Sequence, residues 1–143
     1  MTEVREEIYA EIERRLRKIE GVAEVELMPS GDPVSFNALH IFDPGHGVGG
    51  HGHNEQGYEL TPTIEGYIEA GGGAVAFAML NKLYGDTVRA LVTEPPLGGL
   101  AETVDEGDMR VFVAELASEK RLGFALDLPI TFATRRGDPA QPA

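Results

Sequence analysis

Residues 121–134 read Arg-Leu-Gly-Phe-Ala-Leu-Asp-Leu-Pro-Ile-Thr-Phe-Ala-Thr. Leu122, Phe124, Leu126, Leu128, Ile130 and Phe132 occupy every second position, so in an extended chain all six face one way. A strand with one wholly apolar face must bury it, and the helices of the same chain are the natural cover. The preceding run, Met109 to Ser118, also reads as a strand and meets it at a tight turn near Glu119 and Lys120. The chain therefore closes with a β-hairpin.

Upstream of the hairpin, Phe77, Leu80, Tyr84, Val88 and Leu91 recur at helical spacing beside Ala76 and Leu83. This predicts a helix from about Ala74 to about Val92. Glu94, Pro95 and Pro96 end it, and Leu97, Gly98, Gly99 and Leu100 turn the chain before a short extended stretch at Ala101 to Val104.

At the other end, Val4, Ile8, Ile12, Leu16 and Ile19 form one stripe of a first helix spanning Thr2 to Glu20. Its glutamates gather in the first half and Arg14, Arg15, Arg17 and Lys18 in the second, which complements the helix dipole. Gly21 can supply the left-handed cap.

Between the helices, Val22 to Leu27 and Phe36 to Phe42 read as strands separated by a turn at Pro29 to Pro33. Tyr58 to Glu69 alternates throughout, with Tyr58, Leu60, Ile64 and Ile68 on one face and Glu59, Thr61, Thr63, Glu65 and Glu69 on the other. Pro62 cannot donate to a ladder, which predicts an edge strand or a bulge. The glycine-rich segment from Asp43 to Gly57 reads as an exposed loop that interrupts the core.

The expected fold is α+β: two helices packed on one face of a mostly antiparallel β-sheet with a C-terminal β-hairpin. A chain of 143 residues suits one domain, placed at residues 1–134, with 135–143 as a disordered tail.

An apolar content of 42% without a long uninterrupted apolar run indicates a globular chain with no membrane span. The start, Thr2-Glu3-Val4-Arg5-Glu6-Glu7, lacks the pattern of a secretory signal, so a cytoplasmic origin is expected. The absence of cysteine excludes disulfides, thiolate nucleophiles and Cys-based zinc sites. A net charge of −12 opposes a phosphate backbone on average and points away from sequence-specific DNA binding.

His46, His51 and His53 in the glycine-rich loop, with His40 and Asp43 just before it, are the candidates for a metal site, since imidazole and carboxylate ligate zinc. A loop with this much glycine loses considerable backbone entropy in closing on an ion, which favours reading it as an arm that orders against a partner. Gly98 and Gly99 precede no helix and are followed by no Lys, Ser or Thr, so they do not form a phosphate loop. No Gly-x-Ser-x-Gly elbow occurs, and no carboxylate stands in an apolar setting that would raise its pKa. No catalytic residue and no cofactor is expected.

Three stretches carry a likeness: the opening helix running through Ile19, Glu20, Gly21 and Val22 into Val25; Leu97, Gly98, Gly99, Leu100 and Ala101; and the closing strand Ala125 to Thr134, followed by Arg135, Arg136, Gly137, Asp138 and Pro139. In these stretches, and in the order of its elements over nearly the whole length, the chain resembles the tail terminator proteins of long-tailed phages, which also occur in prophages and gene transfer agents.

The resemblance implies a structural virion protein, not an enzyme. It would form a homo-hexameric ring on the head-proximal end of the tail tube, stop tube polymerisation and meet the head connector or head-completion protein. Its place would be the virion tail or neck, assembled in the bacterial host cytoplasm, with DNA passing through the lumen without specific binding. A closed ring needs two unlike patches that fit each other. The expected patches lie in the arm and the Tyr58–Glu69 strand, at Asp43, His46, His51, His53, Tyr58, Leu60, Thr61 and Glu65. A head-completion or neck protein of similar size, and a small metal-dependent enzyme built on the histidine loop, are the alternatives.

Overall fold

The structure, a computed structural model, describes residues 2–50 and 52–143. The element order is α1 (Val4–Arg17), β1 (Glu24–Leu27), β2 (Ala38–Phe42), β3 (His46–Val48), β4 (Glu55–Leu60), β5 (Thr63–Tyr67), α2 (Ala74–Leu91), β6 (Thr103–Val104), β7 (Met109–Leu116), β8 (Glu119–Asp127), β9 (Ile130–Arg135) and β10 (Asp138–Pro142), with a 3-10 turn at Pro96–Gly99 before β6. The α+β class, the two helices and the mostly antiparallel pairing are as expected. Among the described residues β1–β2 is the one parallel pair.

The strands make two sheets instead of one. The first runs β1-β2-β5-β8-β7, and the second runs β10-β9-β4-β3 with β6 also on β9. Two long segments pass through both sheets. Tyr58 to Glu69, expected as one strand at an edge or with a bulge at Pro62, is β4 followed by β5, and Arg121 to Thr134 is β8 followed by β9.

Each segment bends at a proline, Pro62 in the first and Pro129 in the second, where the missing N–H interrupts the ladder. The bends face each other: Leu60 pairs with Ile130 on one side and Thr63 with Asp127 on the other, while the Leu128 amide donates to the Pro62 carbonyl at 3.0 Å. Both strands therefore turn together and keep register. Pro62 marks this bend and not an edge, since β4 lies between β3 and β9 and β5 between β2 and β8.

Three further expectations change. The glycine-rich segment contributes β3 and the start of β4, so it builds a hairpin and not only a loop. The tail at 135–143 is not disordered: Gly137 turns it at φ +81°, and β10 pairs back on β9. The β7–β8 turn falls at Ala117 and Ser118, both at positive φ (54° and 65°), the backbone that a two-residue hairpin with right-handed strand twist demands.

The core lies between the helices and the sheets. Val4, Ile8, Ile12 and Leu16 of α1 are buried, and so are Leu122, Phe124, Leu126, Leu128, Ile130 and Phe132, as their alternation predicts. In α2 the buried face is Ala76, Leu80, Leu83, Thr87 and Leu91. That face is rotated from the expected stripe. Thr87 enters the core because its hydroxyl donates to the Leu83 carbonyl at 2.8 Å. Phe77 is displaced to the surface and is 52% exposed.

Phe124 sits at the centre, fully buried, with Tyr84 edge-on to its ring at 5.9 Å. Its ring lies over Gly66, its cross-strand partner, where a methyl group would come within 2.2 Å of Phe124 Cε2. Gly66→Ala is therefore expected to cost about 1–3 kcal/mol through overpacking, read as a fall in Tm with secondary structure retained. An unchanged Tm would mean that Phe124 has room to move.

Candidate assembly surface

The β3–β4 hairpin forms an arm whose base is tied to α1. Arg5 donates from Nε to His46 Nδ1 at 3.0 Å and from Nη2 to Asp43 Oδ1 at 2.8 Å, and the Gly45 amide donates to the same carboxylate oxygen at 2.8 Å. Burial pushes the Asp43 carboxyl up, but the bonds from Arg5 and Gly45 outweigh it and hold the group below the ordinary carboxylate range. The neighbouring Tyr9 phenol is raised, first by burial and then by the Asp43 charge.

The His46 ring stands edge-on to Tyr58 at 4.8 Å, and Tyr58 stacks on Phe132 at 4.9 Å. This aromatic column fixes the arm against β9. Nearer the tip, Gly49 donates to the Gly57 carbonyl and Gly57 to the Gly50 carbonyl, at 2.9 and 2.8 Å. A methyl on Gly57 would come within 2.1 Å of the Gly50 oxygen, so glycine is required for that close approach.

The histidines expected to share a metal are spread out. His46 is engaged by Arg5 and Tyr58, His53 is exposed in the turn of the arm, and His51 lies outside the described residues. His40 belongs to the other sheet. It is buried on β2 with Nε2 2.5 Å from Glu24 Oε2, and Glu24 also accepts from the amides of Val34 and Ser35 at 3.1 and 3.2 Å. Among the described residues no three of His, Asp and Glu are grouped to hold a metal ion. The hollow of about 320 Å³ beneath the arm is lined by Glu55, Glu59 and Glu102 and by no Lys or Arg, which disfavours an anionic ligand.

The expected interface residues do not form one patch. Leu60 is core, and Tyr58 is half-buried in the aromatic column. Glu65 is half-buried on β5, accepting a bond from the Tyr67 hydroxyl at 2.6 Å. His53 and Thr61 are exposed, while Asp43 and His46 anchor the arm to α1.

Sequence reasoning missed the large apolar side chains that do reach solvent; besides Met28, Val34, Val75 and Met79 these include Val48 at 70%, Phe77 at 52%, Val111 at 46% and Val113 at 54%. Topology places Val48 and the pair Val111 and Val113 on opposite flanks. On the β4–β5 side of the central ribbon lie β2 and β1 in one sheet and β3, bearing Val48, in the other. On the β8–β9 side lies β7, the edge of the first sheet. Val111 pairs with Phe124 and Val113 with Leu122, so both share the helix-covered face. Tyr84 shows which side of α2 faces β7, because it touches Phe124 and donates to Glu106 just before that strand. Phe77 lies two turns back on the same stripe of α2 and is exposed. The signal in the sequence was the run Val111, Phe112, Val113, apolar on both faces of a strand.

No protein-family model matches the sequence, and no curated protein matches it.

Proposed function

We propose that this chain is a tail terminator: a structural protein that closes into a ring on the head-proximal end of a tail tube, stops tube growth and offers a surface to the head connector or head-completion protein. The observation that carries the reading is the pair of unlike open strand edges on opposite flanks, β3 with the exposed Val48 and β7 with the exposed Val111 and Val113. A ring of identical subunits requires a head-to-tail contact between two different surfaces, and placing them on opposite flanks lets each subunit accept one neighbour and offer itself to the next.

The charge supports the same reading. With a net charge of −12, a lumen built from this chain repels phosphate, so DNA slides through without being gripped. The likeness to tail terminators in the opening helix, the Leu97–Ala101 turn and the closing strand supplies the particular assembly. As a virion component built in the host cytoplasm, the protein has its own copies, the tube protein and the head connector as partners.

Deleting the gene in the particle-producing strain and imaging the lysate by negative-stain electron microscopy tests this reading. Overlong, headless tails are expected. Tails of normal length lacking heads would instead assign a neck or head-completion role, and normal infectious particles would remove the assembly role altogether.

A further inference from the structure

We propose that the open edge of β7, together with the Phe77 stripe of α2, is the acceptor surface for the β3 arm of a second copy of this chain, with Val48 of one copy seated against Val111, Val113 and Phe77 of the next. This rests on the ring reading and names its interface.

Three observations converge on it. The first is the edge itself. Among the described residues β7 pairs only with β8, in unbroken register from Met109 to Leu116, and the backbone donors and acceptors of its other side meet no further strand. Open edges are usually blunted by a bulge, a proline or charged side chains; β7 has no bulge and no proline, and its charges are limited to Arg110 and Glu115. Its one basic side chain, Arg110, turns back to Asp127 at 3.0 Å. By contrast, β10 carries Pro139 and Pro142, which remove donors, and β1 is four residues long.

The second is side-chain chemistry. β3 is also a sheet edge, and Val48 is its exposed apolar residue, matching the exposed Val111 and Val113 of β7. Strand addition of this kind takes affinity from main-chain hydrogen bonds and specificity from side chains that seat in flanking pockets.

The third is charge. From Asp43 to Leu60 the arm carries Asp43, Glu55 and Glu59 and no Lys or Arg. From Met109 to Asp127 the β7–β8 hairpin carries Arg110, Lys120 and Arg121 against Glu115, Glu119 and Asp127, a balanced set in a chain of net charge −12. Against this balanced hairpin an acidic arm is spared the repulsion that arm against arm, with carboxylates on both sides, would meet.

Because the chain has no cysteine, single thiols can be placed without background. Val48→Cys and Val113→Cys chains are prepared separately, mixed, and treated with a short bis-maleimide, both as concentrated protein and within particles from the producing strain. The mixture is expected to yield a covalent dimer containing one chain of each kind. The double variant Val48→Cys/Val113→Cys is expected to yield a ladder ending at the ring size, while neither single variant links to itself.

Self-linking of Val113→Cys alone would overturn the proposal in favour of β7 against β7. A ring seen by native mass spectrometry without the mixed link would overturn this interface and leave the ring standing. Failure of both the link and the ring, in protein and particles alike, would overturn both. In parallel, Val113→Lys is expected to weaken self-association at least about tenfold without lowering Tm, because Val113 is already exposed and the lysine acts only on the edge. Unchanged association would count against the proposal.

Discussion

Phe124→Ala is expected to destabilise the domain by about 3–5 kcal/mol, measured as a lower denaturant midpoint at unchanged slope. Phe124 is fully buried and bridges the layers of the fold. It pairs with Gly66 of β5 on one side and Val111 of β7 on the other, and Tyr84 of α2 stands against its ring. Truncation removes the apolar surface and leaves a cavity that the bent ribbon cannot collapse to fill. A domain of this size has about 5–15 kcal/mol of stability in total, so the loss takes a large share.

The same geometry predicts a reversal of sign. Gly66→Ala is destabilising when the Phe124 ring occupies the space above it, but in the Phe124→Ala background the added methyl enters vacated volume. It should then be neutral or stabilising. Additive losses in the double variant would show that the two positions do not share this space.

Glu24→Ala is the second large effect, expected at about 2–4 kcal/mol from one charge-assisted and two amide hydrogen bonds. The carboxylate receives His40 Nε2 and the Val34 and Ser35 amides, and so clamps the connector between β1 and β2 over a buried imidazole. Burial raises the Glu24 carboxyl, yet these bonds more than compensate and its pKa in the folded protein lies below the ordinary 4.5.

The sign for stability follows. A carboxyl depressed by folding contributes stability that is present above its unfolded value and is lost as pH falls through the lower folded one. Wild-type stability should therefore fall in acid below about pH 4.5, and Glu24→Ala should show a shallower acid dependence. Glu11, lowered to about 2 chiefly by its bonds from Arg14 and then Arg15, contributes in the same direction, but it is only half-buried and its first partner Arg14 is exposed, so solvent screens the pair. Parallel acid profiles for wild type and variant would reject the assignment to Glu24.

The candidate site was less legible than the fold. The glycine and histidine content of the arm drew attention to a possible ligand set, yet a ligand set depends on distances between residues that only folding brings together. His40 went to a buried pair with Glu24 and His46 to a bond with Arg5, a residue 41 positions away. Val48, Val111 and Val113 carry the proposed interface; the apolar run at Val111–Val113 hinted at two contacted faces, but nothing separates Val48 from a core valine.

Local periodicity by itself determined the two helices, the six-residue apolar face from Leu122 to Phe132, and the α+β class, because a period of 3.6 or 2 is a property of neighbouring residues and survives in any context. Pro62 announced an interrupted ladder, whereas the stretch through Pro129 read as one continuous strand. That the interruptions face each other and fold one expected sheet into two was decided by strand pairing. Edge or interior, and core or solvent, are relations between segments far apart in the chain. Phe77 shows it plainly: its helical phase was correct, but which side of α2 met the sheet depended on where β8 and β5 lay beneath it.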